Sequence, residues 1–263
     1  MKKIVAVVAV LIIVVVGVLL WRASPPTQLA HYQNESFRLA APDLSGQSQD
    51  ETYYALTYPL FESERINRFL MKTLPRPKDH SAMAKAAQKL IDEHRDYAKD
   101  AEQPMAWFEE RRDRVLQQTP TYIAFQSDSQ SYTGGAHGNY SVVFVNYDVA
   151  KDRRLAIGDV LQSDKVQAFT DRAEQRFRAQ EGLAPGIAYD ERYFFNSGRF
   201  NLTPNFVFND EGILFLYNIY EIKAYSEGQT ELLLPYAEIN DLLNDTGKHI
   251  RDSLPTSRPA RTE

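Results

Sequence analysis

An α+β fold is the reading this chain supports: two small domains, each an antiparallel sheet with helices packed on one face, preceded by one transmembrane helix. Three features carry it. Short runs alternate apolar and polar residues, and two longer segments repeat apolar residues every three to four positions, the periods of strand and helix. The 15 Tyr and 14 Phe among 263 residues suit pleated, half-buried surfaces. An unbroken apolar stretch fills residues 4–21.

Taken in order, Met1-Lys2-Lys3 is a short stub before that stretch. A helix crossing a hydrocarbon core of about 30 Å needs about 20 apolar residues. Residues 4–21 nearly supply them, with Trp21 where an interfacial aromatic belongs. A cleaved leader wants small residues at −3 and −1, but Ala23 has Trp21 at −3 and Ala30 has Gln28. An uncleaved signal anchor is therefore favoured. Lys2 and Lys3 stay in the cytoplasm, and the bulk of the chain is periplasmic, a single-pass protein of the inner membrane. Residues 22–50 carry Ser-Pro-Pro and little periodicity, and read as a linker.

Residues 51–61 (ETYYALTYPLF) alternate as a strand, with Pro59 marking an edge or an end. Residues 62–72 put Ile66, Phe69 and Leu70 on one helical face, and Pro75 stops the helix. Ser81 can cap a longer helix whose stripe is Met83, Ala87, Leu90, Ile91, His94 and Tyr97, with His94 half-buried at its edge. Residues 107–118 fit either a short helix or a strand. Strands follow at 122–132 and 140–148, then a polar hairpin turn over 148–154. Residues 163–182 form a second helix, with Ser163 as cap, Val166, Phe169, Ala173 and Phe177 as stripe and Gly182 as stop. Strands at 200–208 and 213–217 flank the hairpin turn Asn209-Asp210-Glu211-Gly212. A last strand over 230–236 leads into a short helix over 237–244. The order of elements segregates sheet and helix as α+β folds do.

Charge excludes one class of partner. The chain carries 30 basic and 35 acidic residues for a net −5. With Lys2 and Lys3 set aside, 28 basic against 35 acidic residues leave −7. No clustered basic surface for nucleic acid is evident. The absence of Cys leaves an exported fold to rely on its core.

Chemistry-bearing patterns are sparse. The five His are dispersed, with no His-Glu-x-x-His and no Cys, so no metal site is expected. No Gly-x-Ser-x-Gly elbow and no Walker lysine accompany the glycines. Asp190, Glu191 and Glu221 could form a carboxylate pair, but nothing distinguishes them from other acids. No catalytic residue and no cofactor are assigned.

Two motifs stand out: Tyr132-Thr133-Gly134-Gly135-Ala136-His137-Gly138-Asn139, and Tyr220-Glu221-Ile222-Lys223-Ala224-Tyr225-Ser226-Glu227-Gly228 with Leu234-Pro235-Tyr236 after it. Paired glycines permit positive φ or close backbone approach. The first motif is either a braced turn or a projecting, ligand-contacting loop, and both readings stand. As candidate binding residues we take Tyr132, Thr133, Gly134, Gly135, His137, Asn139, Tyr220, Glu221 and Tyr225.

With Tyr58-Pro59-Leu60 and Ile66-Asn67, these motifs resemble an extracytoplasmic pair of domains of unknown function. The pair occurs in the lysozyme-binding anti-sigma factor RsiV and in the non-catalytic amino-terminal part of the peptidoglycan deacetylase PdaC. The resemblance implies a PdaC-like α+β domain over residues 51–139, an RsiV-like α+β domain over 140–246, and a flexible tail over 247–263. It also favours a strand over 107–118. Where the family often has Ala-Pro, this chain has Lys223-Ala224. With only three residues ahead of the apolar run and an end at Glu263, neither a sigma-factor-binding segment nor a deacetylase domain is expected. The function this implies is a membrane-anchored periplasmic binding or sensing module of the cell envelope. Its expected partners are lysozyme or a cell-wall glycan, with the membrane engaged through residues 4–21 and no nucleic acid. The alternative is a peptidoglycan- or polysaccharide-modifying enzyme, or its accessory subunit.

Overall fold

The computed structural model describes residues 28–42, 51–102, 104–184, 186–189 and 192–255. No helix among them is long and apolar enough to cross a membrane, and the span expected at 4–21 lies outside them. The architecture is mixed α+β with mostly antiparallel pairing. Strands β1 (Tyr32–Pro42), β2 (Glu51–Phe61), β3 (Phe108–Gln118), β4 (Tyr122–Tyr132), β5 (Asn139–Asp148) and β6 (Arg153–Arg154) form a six-stranded sheet in sequential order. Strands β7 (Phe206–Phe208), β8 (Gly212–Tyr217) and β9 (Thr230–Pro235) form a three-stranded antiparallel sheet. The helices are α1 (Glu64–Thr73), α2 (His80–Asp100), α3 (Val166–Gln180), α4 (Tyr236–Ile239) and α5 (Asp245–Ser253).

Several expectations are corrected. Residues 32–42, placed in the linker over 22–50, form edge strand β1 against the whole length of β2. The first sheet is not purely antiparallel: β2 and β3 run parallel, joined through α1 and α2. Asp79, not Ser81, caps α2, its carboxylate accepting from Ala82 N at 2.8 Å. Lys165 rather than Ser163 precedes α3, with no side-chain cap bond. The strand expected over 200–208 is confined to Phe206–Phe208. Residues 245–253 form α5, which runs into the tail expected over 247–263 and is capped by Asn244, whose side chain accepts from Gly247 N.

β4 and β5 sit between two cores, and their alternating side chains explain why. Ile123, Phe125, Val145 and Tyr147 point into a cluster completed by Phe61, Ile66, Leu70 and Leu74. Tyr122, Ala124, Val142 and Phe144 point the opposite way, into the large cluster with α3, the three-stranded sheet and Ile250 of α5. Strands buried on both faces read as near-continuous apolar runs. α3 contributes Phe169, Ala173 and Phe177, all at most 1% exposed. Burying each Phe is worth about 1.5–3 kcal/mol. The expected division after Asn139 thus falls at a hairpin of one sheet, since β5 pairs with β4 from Asn139 to Asp148.

Candidate functional site

The glycine-rich motif is the turn of the β4–β5 hairpin. Gly134 and Gly135 take φ of +93° and +94°, a region that side chains with a Cβ avoid. A Cβ on Gly138 would lie 2.8 Å from the carbonyl oxygen of Ser131, so only glycine lets the chain pass there. A Cβ on Gly134 would lie 3.7 Å from the indole of Trp107, so the turn runs beside that ring. Tyr132, the last residue of β4, donates its hydroxyl to Gly135 O at 3.1 Å and approaches Met105 Sδ at 3.5 Å.

Trp107 is held from below. Its amide donates to Thr52 Oγ1 at 3.0 Å, and that oxygen lies 3.0 Å from His94 Nδ1. His94 Nε2 lies 3.1 Å from the carbonyl oxygen of Met105. A carbonyl only accepts, so Nε2 carries the proton and Nδ1 accepts from Thr52. His94, expected half-buried, is 1% exposed and fully partnered.

The second motif reaches the same place from the other half of the chain. Among the described residues no strand pairs with the outer edge of β5 before Tyr147, and side-chain amides replace one. Asn205 Oδ1 accepts from Phe144 N at 2.7 Å, and its Nδ2 donates to Val142 O at 2.8 Å. Asn218 Oδ1 accepts from Val142 N at 2.8 Å, and its Nδ2 donates to Val142 O at 3.0 Å. Asn218 thereby fixes the loop that follows β8. Glu221 braces this turn, its carboxylate accepting from Asn218 N at 2.8 Å.

His137, Tyr220 and Tyr225 meet in an exposed cluster. His137 stacks on Tyr225 with centroids 3.7 Å apart, and its Nε2 lies 3.2 Å from the Tyr220 hydroxyl. Nδ1 of His137 donates to Gly138 O at 2.9 Å, so in the neutral ring Nε2 accepts from Tyr220. The Tyr225 hydroxyl donates to the same carbonyl at 3.2 Å. Tyr220 has φ +64° and is 53% exposed. A bulky residue in that region stores strain of about 1–3 kcal/mol.

Beside the cluster runs a groove of about 440 Å³ lined by residues including Tyr54, Glu109, Gln130, Asn139, Tyr140 and Tyr220. Such a volume falls within the range of small-ligand clefts. Burial, then the Asp128 carboxylate, pushes the Tyr140 hydroxyl above the usual tyrosine range and keeps it a donor.

Of the nine sequence-derived candidates, the structure gathers Tyr132, Gly134, Gly135, His137, Asn139, Tyr220 and Tyr225 at this end of the sheet. Thr133 is an exposed loop residue, and Glu221 serves its own turn. Trp107, Asn218 and Tyr140 belong to the same assembly and were not singled out in the sequence. Among the described residues no three His, Asp or Glu are grouped to hold a metal. His94 and His137 each direct their other ring nitrogen at a backbone carbonyl, not at a carboxylate. Asp190 and Glu191 lie outside the described residues.

Lys223-Ala224, the departure from the family's Ala-Pro, has a local explanation. Lys223 is buried, with Nζ 3.3 Å from both carboxylate oxygens of Glu181. Glu181 also accepts from the Tyr193 hydroxyl at 2.8 Å. Ala224 takes φ −61° and ψ 154°, the backbone a proline would adopt.

Comparison with known proteins finds likeness in both halves of the chain and in the fold. Residues 46–140 match the family described as deacetylase PdaC, and residues 158–237 match a protein family of unknown function, DUF3298. The two matches are to the domain pair that the motifs resemble, a combination related to the cell envelope. A DUF3298-family structure from Bacteroides fragilis is similar in fold, with TM-score 0.66 and 19% identity over 87% of this chain and 98% of that one. A second, from Pseudomonas aeruginosa, has TM-score 0.57 and 21% identity over 85% of this chain and 97% of that one. No curated protein matches the chain in sequence.

Proposed function

We propose that this protein is a membrane-anchored periplasmic binding or sensing module of the cell envelope. Its ligand is a wall-associated macromolecule bound at the His137–Tyr220–Tyr225 cluster and the adjoining groove, with lysozyme the leading candidate and peptidoglycan the next. One observation carries the reading: Tyr220 keeps its ring in solvent while its backbone sits in a strained, left-handed conformation. Strain persists where the surroundings hold it, and it clusters at binding sites. Tyrosine and histidine supply large contact area with polar tips and few rotatable bonds, the composition of interface hot spots. The resemblance of the two motifs to the lysozyme-binding anti-sigma factor RsiV is the ground for lysozyme, and the −7 left when Lys2 and Lys3 are set aside has the sign that steers a cationic lysozyme toward the site. Titration calorimetry of the purified full chain in detergent, first with lysozyme and then with soluble peptidoglycan fragments, tests this. Saturable binding of either that weakens in Tyr220→Ala is expected, and heat from neither would end the proposal.

A further inference from the structure

At the opposite end of the first sheet lies a basic surface. Arg65, Arg68 and Lys72 are three and four residues apart on α1 and so share one helix face. With Arg153 and Arg154 from the β5–β6 hairpin they line a basin of about 360 Å³ that contains one carboxylate, Asp152. Arg153 is paired with Asp159 at 2.7 Å, and Arg68 faces Glu64 at 3.6 Å with both side chains largely in water. Arg65 donates to Val149 O at 2.6 Å and stands 4.0 Å from Asp152. Among the described residues Lys72 and Arg154 pair with no carboxylate. Counting Glu64 and Asp159 with Asp152, five basic residues face three acids, a local net of +2 in a chain of net −5.

Residues 30–32 also lie at this end. His31 O accepts from Glu62 N at 3.1 Å, and Gln118 Nε2 donates to Ala30 O at 2.8 Å. Ala30 packs against the core cluster that contains Phe61, Ile66 and Val149, and Arg65 bonds that same Val149. Leu29 and Tyr32 are 53% and 39% exposed at this end. Only residues 22–27 separate Gln28 from the apolar run at 4–21, a reach of about 20 Å when extended. The His137 hairpin is at the far end of β4, whose 11 residues span about 33 Å.

We infer that the basin of Arg65, Arg68, Lys72, Arg153 and Arg154 docks on the phosphate headgroups of an anionic bilayer. This rests on the membrane anchoring proposed above. A tether of six residues holds this end close to the headgroups, and opposite charge then favours contact. Docking through this end leaves the aromatic cluster clear of the bilayer and open to a ligand.

The chain has no Cys, so a single fluorophore can be placed by Ala150→Cys in the β5–β6 turn or by Ala136→Cys in the distal hairpin. The full-length variants are reconstituted in vesicles rich in phosphatidylglycerol or made of phosphatidylcholine alone, each with a headgroup-attached quencher. At position 150 we expect quenching at least about twofold stronger in the anionic vesicles, lost at high salt and lost in Arg68→Glu/Lys72→Glu. Position 136 stays unquenched. Equal quenching at 150 in both lipids, or quenching that survives the double substitution, overturns the docking. Extraction in alkaline carbonate reads the anchor separately. Release of the chain contradicts anchoring, and co-flotation of the released chain with anionic vesicles then decides the docking by itself.

Discussion

The imidazole of His137 lies face to face with the phenol ring of Tyr225, centroids 3.7 Å apart and planes 20° from parallel. This contact ties the β4–β5 hairpin to the loop after β8, and the Tyr225 hydroxyl reinforces it through Gly138 O. An aromatic pair contributes about 0.5–1.5 kcal/mol and a neutral hydrogen bond about 1 kcal/mol. Tyr225→Phe keeps the stack and is expected to cost about 1 kcal/mol in denaturant unfolding. Tyr225→Ala loses both contacts, costs about 2 kcal/mol and weakens ligand binding more than Tyr225→Phe.

Tyr220 is expected to trade stability for binding. Glycine adopts positive φ without strain, so Tyr220→Gly should raise stability by about 0.5–1 kcal/mol, read as a higher Tm. The same change removes the exposed ring and should weaken ligand binding at least about tenfold. A variant that loses stability would mean that the hydroxyl contact to His137 outweighs the backbone strain.

Lys223 and Glu181 form a buried pair, each side chain 9% exposed. Removing one partner of a buried pair costs about 3–5 kcal/mol, at the low end for Lys223 because Glu181 keeps the Tyr193 hydroxyl and lies 3.8 Å from Arg192. Lys223→Met is therefore expected to lower the unfolding free energy by about 3 kcal/mol. Replacing Glu181 by Met in the same chain should recover part of that loss, read from a double-mutant cycle. Equal losses in the single and double variants would show that the pair is not coupled.

Much of this fold was legible because its core elements are strongly patterned. The stripe of α2 from Met83 to His94 and the apolar runs of β4 and β5 buried as their periods require. β1 escaped notice because it is an edge strand, and in YQNESFRLAAP the alternation is weak. α5 escaped because it buries only Gly247 and Ile250, too few for a period to register. Parallel pairing of β2 and β3 is a property of the crossover and leaves no mark on either strand alone. Both loop motifs were visible from their glycines and tyrosines. Their meeting was not, since it depends on Asn205 and Asn218 substituting for a strand beside β5.

Alkaline pH should unfold the protein through its buried tyrosines. Burial pushes Tyr122, Tyr147, Tyr189, Tyr193, Tyr217 and Tyr236 above their ordinary value of 10.0. In the unfolded chain these phenols lose their protons near pH 10, while the folded state keeps them. Stability is therefore fully present below about pH 10 and falls as pH rises beyond it. Phenolate absorbance measured against pH should rise in two stages, exposed tyrosines first and the buried set together with loss of circular dichroism. A single early rise with the fold intact would contradict the burial.

Most direct is calorimetric titration of the full chain with lysozyme and with peptidoglycan fragments, repeated on Tyr220→Ala. The exposed cluster as recognition site predicts saturable binding of one of them and a loss of at least about 1.4 kcal/mol, tenfold in Kd, in the variant. Binding that is unchanged by Tyr220→Ala, or absent for both ligands, would contradict it.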